Sequence, residues 1–174
     1  SNYLDVGANS GYFVNIAARC APNGRHIAYE PVPALAANLK RSFPQVDIRQ
    51  AALSTARGTA AFTVDQGEPA FSRLASIASP DGHTTTQIEV RVEALDEDLP
   101  PDWAARLIKI DAEGAEAQVI EGGVAFLARC RPVIIFELGR GATQIHDMLT
   151  GELAMRVFDI DGGGPYSREQ LEEA

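Results

Sequence analysis

Short apolar runs alternate with amphipathic stretches along the chain, the pattern of an α/β domain with a mostly parallel sheet. Tyr3-Leu4-Asp5-Val6 reads as a first strand closed by Gly7. Phe13, Ile16, Ala17 and Cys20 recur at i, i+3, i+4 and i+7, which predicts a helix with that face inward and Asn9 or Ser10 as its cap. His26 to Glu30 is a second strand stopped by Pro31, Leu35, Leu39 and Phe43 stripe a second helix opened by Pro33, and Val46 to Ala51 is a third strand. Thr59 to Val64 and Gln87 to Ala94 both look extended, and the second alternates Ile88, Val90, Val92 and Ala94 with polar residues. Asp65 to His83 between them reads as a loop, and Phe71, Ser72 and Arg73 make it a candidate lid. Arg106 to Ile110 is a strand, Ala115 to Cys130 one helix carrying Gly122-Gly123, and Pro132 to Glu137 a continuous apolar strand of the kind covered on both faces. Ala142 to Leu153 is a helix and Met155 to Ile160 a further strand. After the stop at Gly162-Gly163-Gly164-Pro165, Ser167 and Gln170 fit a capping box.

Composition narrows the function classes. The chain has 174 residues, 45% hydrophobic and 22% charged, an ordinary globular balance. Fifteen Lys and Arg against 24 Asp and Glu leave a net charge of -9, which speaks against nucleic acid and anionic membrane surfaces as partners. No apolar run approaches the ~20 residues of a membrane span. Two cysteines, Cys20 and Cys130, lack metal-type spacing and read as small buried hydrophobes, which fits a cytoplasmic setting.

The chemistry concentrates at three strand ends. Asp5-Val6-Gly7-Ala8-Asn9-Ser10-Gly11 places glycines between a strand and a helix, where the backbone can approach a nucleotide-type cofactor. Asn9 stands where a dinucleotide fingerprint has its second glycine. Asp5 in the strand would repel a pyrophosphate and attract an ammonium group. Glu30, 23 residues after Gly7, ends the second strand, and a carboxylate there can accept both hydroxyls of a ribose. In Lys109-Ile110-Asp111-Ala112-Glu113-Gly114-Ala115-Glu116, Asp111 ends a buried strand and points to the ligand crevice, while Glu113 and Glu116 suit helix capping. His146 lies mid-helix beside Asp147 and reads as a core or surface histidine rather than a base. A nicotinamide-dependent oxidoreductase and a binding module without transfer chemistry are the competing classes. Asn9 and Asp5 speak against the first, and intact Gly7, Gly11, Glu30 and Asp111 against the second.

In order from about Tyr3 to Asp161, DVGANSG, AYEPVP, RQAALS, LIKIDAEGAE with IEGG, and RPVIIFELG resemble the FkbM-type family of S-adenosylmethionine-dependent methyltransferases. The resemblance implies a Rossmann-like class I methyltransferase fold. That is a mostly parallel twisted sheet with helices on both faces, here with extra extended segments between the third and fourth core strands. Residues 1–174 are then expected to form a single methyltransferase domain, in which neither the N-terminal helices nor a complete final hairpin of the family is recognised. The implied activity is methyl transfer to a hydroxyl or carboxyl of a small molecule or glycan. Asp5, Gly7, Asn9 and Gly11 would surround the methionine part of S-adenosylmethionine, Glu30 with Pro31 the ribose, and Ala51 and Ala52 the adenine. Asp111 would sit beside the transferred methyl and act as the catalytic residue. No dedicated metal ligands are assigned. Convergence of Glu113, Glu116 or Glu137 on Asp111 would open the way to Mg²⁺.

Overall fold

Among the described residues, five parallel strands form the main sheet in the order β3-β2-β1-β8-β9. They are β1 (Tyr3–Val6), β2 (Ile27–Tyr29), β3 (Asp47–Arg49), β8 (Leu107–Ile110) and β9 (Val133–Phe136). The computed structural model describes residues 1–65, 73–75, 85–137, 139 and 141–172. The chain runs outward from β1 through β2 to β3, then returns to place β8 on the other side of β1. That reversal opens a crevice at the carboxyl ends of β1 and β8, where open α/β sheets hold their ligands. A second, four-stranded sheet in the order β4-β7-β5-β6 stands beside it. It comprises β4 (Ala52–Leu53), β5 (Gly58–Asp65), β6 (Arg73–Leu74) and β7 (Thr85–Glu93). The stretch from Val46 to Ala51 is therefore only partly strand, because the chain leaves β3 at Arg49 and joins the second sheet at Ala52. Of the segment read as a loop or lid, Arg73 and Leu74 pair with Thr63 and Phe62, while Phe71, Ser72 and His83 lie outside the described residues.

Strand alternation assigns the two faces of the main sheet. Leu4, Val6, Ile27, Tyr29, Ile108 and Ile110 pack with α3 (Leu95–Asp98), α4 (Glu116–Glu121) and α5 (Val124–Cys130). Ala28 and Ile48 pack on the opposite face with α1 (Tyr12–Cys20) and α2 (Pro33–Ser42).

Several local expectations are corrected by packing. In α1 the buried residue is Val14, while Phe13 and Ile16 are each 40% exposed and Cys20 is exposed too. The cap is Gly11 at φ 84, not Asn9 or Ser10. A Cβ on Gly11 would meet the Leu39 and Phe43 side chains of the α2 region at 2.6 Å. This tight seat sets the rotation of α1 and turns Val14, three residues on, toward the sheet. The single helix read over Ala115 to Cys130 is two, α4 and α5, broken at Gly122-Gly123. A Cβ on Gly122 would lie 2.1 Å from the Ser54 carbonyl oxygen, so the break lets α4 abut the chain leaving β4. Asp96 then caps α5, its carboxylate accepting the Ala125 and Phe126 N–H groups at 3.0 and 2.6 Å.

β9 is an edge strand with one open face, since Val133 is 65% and Ile135 40% exposed. The further strand expected over Met155 to Ile160 is absent: Tyr166 N–H reaches the Val157 carbonyl across a turn instead, and Ile160 faces solvent. α6 (Ala142–Asp147) runs on into a π-helical turn, Met148–Glu152, and α7 (Arg168–Glu172) closes the described chain. At α7, Ser167 and Gln170 exchange hydrogen bonds of 2.9 and 3.4 Å in the capping box. Among the described residues no helix is long and apolar enough to cross a membrane.

Candidate active site

The crevice is built on a backbone contact that a side chain would forbid. Gly7 has φ 74, and a Cβ there would stand 1.9 Å from the Asp111 carbonyl oxygen. The turn after β1 thus lies against the turn after β8, joined by the bond from Asp111 N–H to the Val6 carbonyl at 3.1 Å. Gly7 and Ala8 N–H groups both donate to the Tyr29 carbonyl at 3.0 Å, which ties the same turn to β2.

Glu30 closes the second side. It is 4% exposed, and its oxygens accept the Asn9 N–H at 2.8 Å and the Val32 N–H at 2.9 Å. Burial pushes its carboxyl above the usual range, and these two N–H groups pull the other way. An ionised carboxylate has about four lone-pair sites, so two remain for a vicinal diol in the crevice. The acceptor sites left on Glu30 fit the ribose hydroxyls of a nucleoside. Gly7, Asn9, Glu30, Pro31, Ala51, Ala52 and Asp111 all line the crevice.

Two residues of that sequence-derived set stand elsewhere. Gly11 packs on α2 as described and does not line the crevice. Asp5 is 1% exposed, pairs in register with Lys109 on the α1 side of the sheet, and is also absent from the lining. Burial pushes its carboxyl up, and the Lys109 ammonium at 3.5 Å opposes the shift. The repulsion of pyrophosphate assigned to Asp5 is therefore not exerted from the crevice wall. Among the described residues, the acids that do line it are Glu30, Asp111 and Glu113.

Glu113 is the site residue most underrated by its sequence position. Its φ is 52, in the left-handed region that a side chain rarely adopts, and Gly114 follows at φ 94. The turn projects its carboxylate into the crevice instead of capping α4. Burial first, then the neighbouring Asp111 charge, push its carboxyl up to about 7, while Arg73 counteracts with Nη2 at 3.9 Å from Oε2. Glu116 does take the structural role, its Oε1 accepting Ala112 and Gly114 N–H at 2.9 and 3.1 Å. Glu137 reaches the same corner, where one carboxylate oxygen each of Asp111, Glu113 and Glu137 lies within 4.8 Å of the others. Phe62 and Leu74, from the second sheet, form an apolar wall. Leu74 sits in a segment that reads as a loop, and nothing in its local pattern signals that role.

His146 is away from this cleft. It is buried on α6, with Nε2 3.0 Å from the Tyr166 carbonyl, and serves to hold the C-terminal turn. His26 is likewise structural: its Nδ1 accepts the Tyr3 N–H at 3.2 Å, and Nε2 pairs with the Ala21 carbonyl at 2.9 Å.

Comparison with known proteins bears on this geometry. A family model described as the methyltransferase FkbM domain matches residues 5–158. A curated relative, the AMB antimetabolite synthetase AmbE of Pseudomonas aeruginosa, is 30% identical over 193 residues, covering 88% of this chain and 9% of that protein. The chain therefore spans less than a tenth of the length of that relative. Among solved structures, the methyltransferase FkbM of Methylobacillus flagellatus KT superposes with a TM-score of 0.61 at 16% identity, over 89% of this chain and 37% of that one. At that identity the likeness speaks for the fold, while the family match spans β1 to the segment after the π-helical turn. With a parallel sheet reversed at β1, a glycine turn against Asp111 and a buried acid ending β2, the chain belongs to the FkbM methyltransferase domain family.

Proposed function

We propose that the domain transfers the methyl group of S-adenosylmethionine to an oxygen, a hydroxyl or carboxyl, of a small molecule or glycan. The observation that carries this reading is the closed pair of Glu30 and Asn9, which sets a diol acceptor beside the glycine turn with Asp111 across it. Glu30 and Pro31 would hold the ribose, Ala51 and Ala52 the adenine edge with Phe62 as its apolar wall, and Gly7 and Asn9 the methionine tail. A relative named as an antimetabolite synthetase fits a small-molecule acceptor.

Held by Glu30, Gly7 and Asn9, S-adenosylmethionine would supply an electrophilic methyl group with a neutral thioether as its leaving group. The chain's share is alignment and proton removal. Asp111 presents Oδ2 to Lys109 at 3.2 Å, and Oδ1 would be the oxygen that takes the proton of an acceptor hydroxyl. Glu113, with its carboxyl near 7, sits where it can relay that proton or hydrogen-bond the acceptor. The convergence of Asp111, Glu113 and Glu137 favours a second reading in which these three carboxylates would hold a Mg²⁺ ion that could lower the pKa of the acceptor hydroxyl. Full turnover in EDTA removes it.

The test is calorimetry with S-adenosylhomocysteine and NADH in parallel, followed by transfer from labelled S-adenosylmethionine. Binding of the first ligand alone is the expected result. Asp111→Ala should retain that binding and lose transfer. Heat with NADH only would support an oxidoreductase, and tight S-adenosylhomocysteine binding without transfer to any acceptor class would support a binding module.

A further inference from the structure

Lys109 is 7% exposed on the middle of β8, and its ammonium is surrounded by groups from both sides of the catalytic corner. Nζ lies 2.7 Å from the Gly7 carbonyl and 3.5 Å from the Val6 carbonyl, so it holds the glycine turn itself. It lies 3.2 Å from Asp111 Oδ2 and 3.5 Å from Asp5 Oδ1. The Phe13 ring, with its centroid 5.7 Å away, covers it from α1. The parallel register that sets Asp5 beside Lys109 also carries Asp111, two residues on, past the end of the sheet on the same side.

We propose that Lys109 is a positioning residue that ties the glycine turn to Asp111 and sets how strongly this end of the cleft prefers a positively charged cofactor over its neutral product. The inference rests on the S-adenosylmethionine reading above. The corner holds the carboxylates of Asp111, Glu113 and Glu137 together. Left alone, such a group would bind a sulfonium more tightly than a thioether. That attraction fades as the sulfonium loses its charge during transfer, so it would stabilise the ground state more than the transition state and slow the reaction. A fixed ammonium against Asp111 offsets it. Because Nζ also holds the Gly7 carbonyl, the same side chain keeps Asp111 and the turn in one frame.

The test compares dissociation constants of S-adenosylmethionine and S-adenosylhomocysteine by calorimetry, and needs no acceptor. In Lys109→Met the ratio of the S-adenosylhomocysteine constant to the S-adenosylmethionine constant should rise about tenfold, the effect of one uncompensated charge across a partly hydrated site. Asp111→Asn should lower it by a similar factor, and the double variant should return within about threefold of the parent. Lys109→Arg, which keeps the charge, should leave the ratio near the parent's. Loss of Lys109 strands the buried Asp5 carboxylate. Where Lys109→Met does not fold, the same comparison is made between Asp5→Asn and Asp5→Asn/Lys109→Met. A ratio that stays constant while both affinities fall together would overturn the inference and leave Lys109 a packing residue. A parent protein that binds neither ligand would overturn the cofactor reading, and this inference with it.

Discussion

Replacing Gly7 with Ala tests the geometry on which the whole site depends. The substitution acts twice. At φ 74 a Cβ crowds its own backbone, which costs about 1 to 2 kcal/mol. The same Cβ would stand 1.9 Å from the Asp111 carbonyl oxygen, a backbone atom that cannot swing aside. One turn must move by more than an ångström, and overpacking of this kind adds about 1 to 3 kcal/mol. The bond from Asp111 N–H to the Val6 carbonyl, at 3.1 Å, and that from Lys109 to Gly7, at 2.7 Å, stretch with it. A total of about 3 kcal/mol corresponds to a fall in Tm of roughly 6 to 12 °C for a domain of this size. Separation of the two turns should also weaken S-adenosylhomocysteine binding at least about tenfold. Thermal unfolding and calorimetry on Gly7→Ala read both effects. Gly58→Ala is the control, because a Cβ at Gly58 meets nothing within 4 Å, and its stability should stay within about 0.5 kcal/mol of the parent. A Gly7→Ala protein with unchanged Tm and affinity would refute the close approach of the two turns.

Glu113 predicts a pH dependence of stability. Its carboxyl is pushed up to about 7, against an unfolded value of about 4.3. The folded state favours the protonated form, so its contribution is complete below about pH 4.3 and is lost as pH rises through 7. Glu113→Gln cannot ionise and should lose less stability than the parent between pH 5 and 8; parallel denaturation curves would contradict the burial of this carboxyl. Glu30→Gln offers a single acceptor oxygen to the Asn9 and Val32 N–H groups, and the lost charge-assisted bond should cost about 1.5 to 3 kcal/mol in a denaturant titration. The same variant should bind S-adenosylhomocysteine more weakly, and parent-like affinity would separate Glu30 from the diol.

Strand ends were legible and side-chain directions were not. Gly7, Glu30 and Asp111 each close an apolar run, and in a parallel sheet all such ends gather at one edge. Asp5 lies inside a run, and which face it takes depends on a register that only the pairing with β8 supplies. Phe13 and Ile16 keep the period of a buried face, yet α1 is rotated by the seat of Gly11 on Leu39 and Phe43. The helix break at Gly122-Gly123 follows from the contact with Ser54, nearly 70 residues away in the chain.

By itself the sequence determined the five strands of the main sheet and the helices α1 and α2, the glycine turn, the acid that follows β2 and the family, because these depend on local period, on φ freedom and on residue order. Tertiary structure alone decided that Asp5 pairs with Lys109 while Glu113 enters the cleft, and that Phe62 and Leu74 wall it. It also decided that Lys109 joins the Gly7 carbonyl to Asp111. Those contacts cross between strands far apart in the chain, and their energies depend on burial and on which charges face each other. No local pattern encodes either quantity.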